Sequence, residues 1–396
     1  MLSAVKKRIL DCLFFWTRLL PLQETLVFES NPDFNDETFW LCKKLMEAGY
    51  GDRYRIVWVL RDPTRAQIPE GWRIGTVPLS PRSVRELVRQ QLVLRRAKVI
   101  FESCYFFRKG DRRQRLVDVY HGMQMKDIRT IIRNIGDVDF FANGTHYSDE
   151  YFIETIRLPQ EKLLHFGMTR NDELIKKTDN LARLGLRDES IQKTVLWMPT
   201  YRQHVVGETT MTLPKTAGLG LPYLYDRETL LQLNDRLKAA RTKLIVKVHQ
   251  SQVLDDIRVD KLSHIALLTT GDLQRAGIQL YSVIGEADAL ITDYSSVYYD
   301  FVLLGRPIGL ACDDLARYEE KVGFVFSEYE HGGYEENVEG CHIRSFEELA
   351  AFCTDYTLRQ WQEEHDVEAM KRRYHDVTDF RSGERYLQFC RDILGL

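Results

Sequence analysis

The sequence predicts an α/β protein built from two Rossmann-like domains facing across a cleft. Three observations carry this. At 396 residues the chain is too long for one ordinary core and fits two domains of roughly 150–200 residues each. Short apolar strands alternate with helical segments in two successive rounds, the pattern of parallel sheets. Polar motifs stand where strands stop in both rounds, and ligands of such folds bind outside the carboxyl ends of the strands.

The first round runs Thr25–Phe28 as a strand, Glu37–Gly51 as a helix and Arg55–Leu60 as a buried strand. Ser80 and Pro81 open an arginine-rich helix through Leu94. Strands then follow at Ala97–Glu102 and at Leu116–Tyr120, and Leu-Leu-His-Phe-Gly at 163–167 closes the half. The charged stretch Arg183–Lys193 reads as the linker. In the second round Thr194–Trp197, Lys243–Val248, Ile265–Leu268, Ala289–Ile291 and Ile308–Ala311 are strands, Asp226–Ala240 is a helix, and a polar helical tail begins at Ser345. The expected organisation is a helix over 1–22, an N-terminal domain over 23–185 and a C-terminal domain over 190–396 that includes the terminal helices.

Two readings fit Met1–Leu20. Leu2, Val5, Ile9, Leu13, Trp16 and Leu20 recur at helical spacing among Lys6, Lys7, Arg8 and Arg18, and Pro21 ends the pattern. The segment is too short and charged to span a bilayer and lacks the small-residue cleavage site of a signal peptide. An amphipathic helix lying in a membrane interface is preferred; a helix packed on the protein's own core is the alternative.

Net charge is −3, so bulk electrostatics point to no nucleic acid, but its distribution is uneven. Residues 51–135 carry 19 Lys/Arg against 8 Asp/Glu, which suits an anionic lipid, phosphate or polymer, or simply a solvated arginine-rich helix. Residues 313–340 carry 2 against 9. Seven widely spaced cysteines without a Cys-x-x-Cys pair argue for reduced thiols in a cytosolic compartment.

Five motifs carry chemistry. In Ile-Thr-Asp-Tyr-Ser-Ser, a strand ends and a helix begins, so Thr292, Asp293, Ser295 and Ser296 stand where free backbone N–H groups invite phosphate; an ordinary N-cap is the bland alternative. In Tyr-His-Gly-Met-Gln-Met-Lys, His121 at a strand end suits a general base and Lys126 a phosphate, or His121 is simply a core or surface histidine. In Gly-Met-Thr-Arg-Asn-Asp, Arg170 and Asn171 offer a phosphate fork or an ordinary helix cap. Thr200 and Arg202 in Pro-Thr-Tyr-Arg end another strand, where a plain turn reads equally well. In Lys-Val-His, Lys247 and His249 finish an apolar strand, and protonated His249 could neutralise a departing pyrophosphate. No two histidines fall at i, i+3 or i+4, so no metal site is expected, and the Gly-rich phosphate loops are absent.

In this order and at these separations the five motifs resemble the CDP-glycerol glycerophosphotransferase family of teichoic acid synthesis, over about Thr25–Phe326. The resemblance implies a GT-B fold and transfer of a polyol phosphate from CDP-glycerol, or another CDP-polyol, to a hydroxyl of an undecaprenyl-linked saccharide acceptor. CMP leaves, no cofactor is needed, and the site of action is the cytoplasmic membrane face. It makes His121 the base that deprotonates the acceptor. His249 is then expected beside the donor pyrophosphate, and Thr292, Asp293, Ser295 and Ser296 hold the donor phosphates. Arg170 and Arg202 match the family's arginines.

Tyr120, Thr169 and Gln250 depart from the family pattern, where Trp, Pro and Pro are usual. No titratable group is lost, so transfer chemistry is expected to survive; the polyol and acceptor stay open, as does homo-oligomerisation. The helix abutting the catalytic part looks more like the short, priming-type members. A nucleotide-sugar glycosyltransferase of the same fold and a non-catalytic membrane-associated scaffold are the competing readings.

Overall fold

The computed structural model describes residues 4–64, 66–103, 107–127, 137–200, 203–206, 209–212, 221–248, 262–325 and 332–396. The chain divides into two compact units, each with its own sheet. The first comprises 1–122, 134–172 and 379–396; the second comprises 123–133 and 173–378. The chain thus leaves the first unit at Asp172, whereas the sequence suggests a boundary at 185–190. The last 18 residues return to the first unit instead of ending the second.

The first sheet contains β1 (Gln23–Glu29), β2 (Arg55–Leu60), β3 (Gly75–Pro78), β4 (Ala97–Glu102), β5 (Arg115–Asp118) and β6 (Phe140–Phe141). All are parallel, in the order β3-β2-β1-β4-β5-β6. Strands so placed are covered on both faces and need near-continuous apolar runs, which Arg-Ile-Val-Trp-Val-Leu of β2 supplies. Phe28 of β1 stacks between Trp58 and Phe101 of its two neighbours, at centroid distances of 5.7 and 5.1 Å, and all three are fully buried. Each such side chain contributes about 1.5–3 kcal/mol by burial.

The helix Asp36–Glu47 closes one face of this core, together with the C-terminal helix Ser382–Asp392, whose Tyr386, Phe389 and Cys390 are buried there. The helix expected over 37–51 is interrupted at Gly49, whose φ of 83° stops it, and a single turn, Tyr50–Arg53, resumes it. The Asp172 carboxylate accepts from the backbone N–H of Ser382 and Gly383, at 2.9 and 2.8 Å, and so anchors the returning helix.

The second unit repeats the topology. Its strands are β7 (Lys193–Trp197), the antiparallel hairpin β8 (Gln203–Val206) and β9 (Thr209–Thr212), β10 (Thr242–Lys247), β11 (Ile265–Leu268), β12 (Ala289–Thr292), β13 (Ile308–Ala311) and β14 (Cys341–Ile343). The parallel order β11-β10-β7-β12-β13-β14 is again the Rossmann order, with the chain reversing direction of growth between β7 and β12 as it does between β1 and β4. The core packs Trp197, Leu244, Val246 and Ile291 against Leu233, Leu237, Leu349 and Phe352 of the covering helices.

At the N-terminus a helix, Ala4–Leu13, passes into a 3₁₀ turn, Phe15–Leu19, in place of one continuous helix over 1–22. Phe14 and Thr17 are buried, and Asp11 pairs with Arg95 at 2.6 Å. Ile9, Leu13, Phe15, Trp16 and Leu19 face solvent. The segment is therefore fastened by one side and leaves an apolar side bare. Among the described residues, no helix is long and apolar enough to cross a membrane, and none of the six described cysteines forms a disulfide.

Candidate active site

In the first unit, the site grows from the end of β5. Asp118 ends the strand and its carboxylate accepts from the Tyr120 N–H at 2.8 Å, which turns the chain sharply. Tyr120 takes φ 42° and Gly122 φ 122°, and His121 is lifted between them. The Tyr120 ring lies 4.2 Å from the imidazole and is itself wedged against Phe141 and Phe152, so the base of the turn is rigid.

Although the His121 side chain is open to solvent, protein surrounds it closely enough to move its pKa below 6.5. Desolvation of the imidazolium is the largest cause. The Asp36 carboxylate opposes it, the Arg170 guanidinium reinforces it, and a hydrogen bond with the Ser103 backbone again favours the charged form. Desolvation and the guanidinium prevail. The Ser103 backbone after β4 thus engages the imidazole and helps to orient the ring.

Arg170 does not reach outward as a phosphate fork. It is 2% exposed, and its Nη1 donates to the His121 carbonyl at 2.7 Å and to Asp36 Oδ1. A Cβ on Gly122 would lie 2.4 Å from Arg170 Nη2, so glycine is what lets the guanidinium pass beneath the histidine. Glu37 holds the same segment from the other side. Its Oε1 accepts from Thr169 N at 2.6 Å and Thr169 Oγ1 at 2.7 Å, and its Oε2 from Arg170 N at 3.1 Å. Complete burial pushes the Glu37 carboxyl up to about 7 despite Arg170 and these donors. Asn171 is buried beside it and Asp172 is spent on the C-terminal helix. The Arg-Asn-Asp motif thus organises the histidine and the fold.

Asp36, Glu37 and Asp118 were not singled out from sequence. Asn-Asp-Glu after Pro-Asp-Phe reads as an ordinary cap, and only the fold brings it against Thr169 and Arg170, more than 130 positions away.

In the second unit, the ends of β7 and β12 are sewn together. Asp293 is 1% exposed, and its carboxylate accepts from Thr200 N at 2.9 and 3.1 Å and from Tyr294 N at 2.7 Å. Thr292 Oγ1 donates to the Met198 carbonyl at 3.1 Å, and Tyr334 donates its hydroxyl to the Asp293 carbonyl at 2.7 Å. A carboxylate engaged in this way shapes the turn. Ser295 and Ser296 are half-buried, and the Ser296 hydroxyl makes no cap bond to the helix Val297–Val302. Those two hydroxyls are the motif's available donors.

Lys247 is buried, with Nζ donating to the Val248 carbonyl at 3.0 Å and to Thr270 Oγ1 at 3.2 Å; burial lowers its pKa to about 8. Lys126 belongs to the second unit, where its backbone bridges Phe324 and its ammonium lies 5.8 Å from the Tyr318 ring centroid. Arg202 and His249 lie outside the described residues.

Against known proteins, residues 13–391 match the family model described as CDP-glycerol:poly(glycerophosphate) glycerophosphotransferase. The chain is 20% identical to a teichoic acid poly(glycerol phosphate) polymerase of Staphylococcus epidermidis over 77% of its own length and 42% of the relative's. It is 23% identical to a teichoic acid glycerol-phosphate primase of Bacillus subtilis over 62% and 64%, and 22% identical to a teichoic acid ribitol-phosphate primase of Bacillus spizizenii over 62% and 57%. It thus spans less than two thirds of each of these curated relatives. Among solved structures, the wall teichoic acid polymerase TagF shares the fold, with a TM-score of 0.73 at 18% identity over 99% of this chain and 96% of the other. A variant of that polymerase soaked with CDPG aligns with a TM-score of 0.74 at 19% identity, over 98% and 93%. With the family model covering nearly the whole length, this chain belongs to the CDP-glycerol:poly(glycerophosphate) glycerophosphotransferase family.

Proposed function

We propose that the protein transfers glycerol phosphate, or a related polyol phosphate, from a CDP-activated donor to a hydroxyl of an undecaprenyl-linked saccharide in the synthesis of a teichoic-acid-like polymer. The observation that carries this reading is His121. It is a solvent-accessible imidazole whose pKa is lowered by its surroundings, and it is steadied through its own carbonyl by a buried arginine.

In the proposed reaction, the acceptor O–H gives its proton to the His121 imidazole while its oxygen attacks the phosphorus that bears the polyol. The bond from that phosphorus to the bridging pyrophosphate oxygen breaks, and CMP leaves with the electron pair. The products are CMP and an acceptor extended by one polyol phosphodiester. Negative charge grows on the departing CMP phosphate. The family motifs assign its neutralisation to His249 and Arg202, with Ser295 and Ser296 as hydroxyl donors to the phosphates. Lys126 is the further cation proposed for the donor.

A lipid-linked acceptor calls for work at a membrane surface. We assign peripheral attachment at the cytoplasmic face to the bare side of the N-terminal segment. Leu13, Phe15 and Leu19 are 62%, 58% and 83% exposed, and the Arg18 guanidinium stands 5.0 Å from the Phe15 ring centroid. Aromatic and basic side chains together suit the headgroup layer of an anionic bilayer.

The donor class is tested by offering CDP-glycerol, CDP-ribitol and a UDP-sugar with the same lipid-linked acceptor and weighing the products. Acceptor extended by a polyol phosphate from a CDP donor is the expected result. Extension by a sugar from the UDP donor would replace this reading with that of a glycosyltransferase.

A further inference from the structure

We propose that His146, Asp149 and His165 form a divalent transition-metal site, of the kind that takes zinc, on the first unit. One ligand atom from each of the three lies within 4.8 Å of the others. His146 stands in the 3₁₀ turn His146–Ser148, Asp149 opens the helix Asp149–Ile156, and His165 lies two residues beyond Leu163, which bridges Phe141 of β6. The histidine-to-histidine spacing test misses this group because the second imidazole arrives from a separate segment.

The segments that carry the ligands are already joined. Leu164 donates its N–H to the Phe141 carbonyl at 2.8 Å, Gly144 to Leu164 at 3.3 Å and Gly167 to Gly144 at 3.1 Å. Thr145 Oγ1 accepts from Tyr147 N at 3.2 Å and sets the turn. Asn143 is fully buried; its Nδ2 donates to Asp149 Oδ1 at 2.7 Å and to the Thr145 carbonyl at 3.0 Å. It therefore aims the carboxylate, the service an outer partner performs for a metal ligand.

The His165 Nε2 lies 2.7 Å from the same Asp149 oxygen, and the two imidazole rings are stacked with centroids 3.6 Å apart at 23°. Two imidazoles and one carboxylate are a set of three protein ligands that leaves a fourth position for water, and their donor character favours zinc, cobalt or nickel over magnesium. His146 is exposed and has room to swing its ring towards the ion. A bound ion would clamp the 143–149 turn to the 163–167 segment, which runs directly into Thr169 and Arg170.

The test uses the full chain, stripped with chelator and titrated with Zn²⁺ by calorimetry and with Co²⁺ by its visible absorption. One equivalent is expected to bind, with Co²⁺ bands of a four- or five-coordinate ion. Zn²⁺ should raise the melting temperature progressively with the logarithm of its excess over Kd. His146→Ala lies at the surface and should fold normally, as circular dichroism will check, yet lose at least about 10-fold in affinity, since removing a direct ligand costs no less than removing an outer one. His165→Ala should do the same. Absence of a one-equivalent site in the native chain overturns the proposal, and so does affinity unchanged in both variants.

Discussion

His121→Ala is expected to lower kcat by about 10²–10⁴-fold while CDP binding stays at its native level, because removing a general base takes away proton transfer and leaves the donor's contacts in place. The side chain is exposed, and the turn that carries it is held by backbone bonds at Asp118 and by the His121 carbonyl, all of which alanine keeps. The fold should therefore survive. In the native enzyme the acid limb of kcat/KM should report the free imidazole. Because desolvation lowers its pKa, the neutral base should be lost at a pH below that of an ordinary imidazole. In His121→Ala that limb should vanish. Isothermal titration with CDP and a pH–rate series check both halves, and loss of CDP affinity in the variant would contradict the role assigned.

Arg170→Ala is expected to be the costliest single change to the first unit. The arginine is buried, paired with Asp36 and hydrogen-bonded to the His121 carbonyl, and its removal strands a carboxylate and a carbonyl together. Breaking such a pair costs about 3–5 kcal/mol, visible as a fall in the denaturation midpoint. Arg170→Lys restores the charge without the planar fork and should recover stability only in part. A second readout separates positioning from bulk stability. Arg170 depresses the His121 pKa and Asp36 raises it, so in Arg170→Ala the acid limb should move up in pH. A limb that stays fixed would mean that the arginine serves the fold alone.

These two residues also show how far the sequence is legible. Apolar runs such as Arg-Ile-Val-Trp-Val-Leu and Ala-Leu-Ile-Thr declare buried parallel strands, and both sheets were expected from them. The edge strands β3, β6 and β14 were not foreseen. Gly-Thr-Val-Pro, Phe-Phe and Cys-His-Ile have two to four residues each, too few to show a period, and they are strands only because a neighbour is there to pair with. His121 was visible as a polar residue stopping a strand. The work of Arg170 was not, since an arginine after Gly-Met-Thr looks the same whether it meets phosphate or a buried Asp36. The same holds for Asp293, whose motif suggested phosphate and whose carboxylate is engaged by Thr200 and Tyr294 backbone. A carboxylate in a strand-end turn is as able to collect backbone N–H groups from the next strand as to border a ligand, and only the register of β7 against β12 decides between them.

Transfer to an acceptor is tested most directly by CMP release from CDP-glycerol with and without a lipid-linked saccharide. CMP is expected only when donor and acceptor are both present, in step with the extended acceptor. Donor bound but no CMP formed, or CMP formed equally without acceptor, would contradict it.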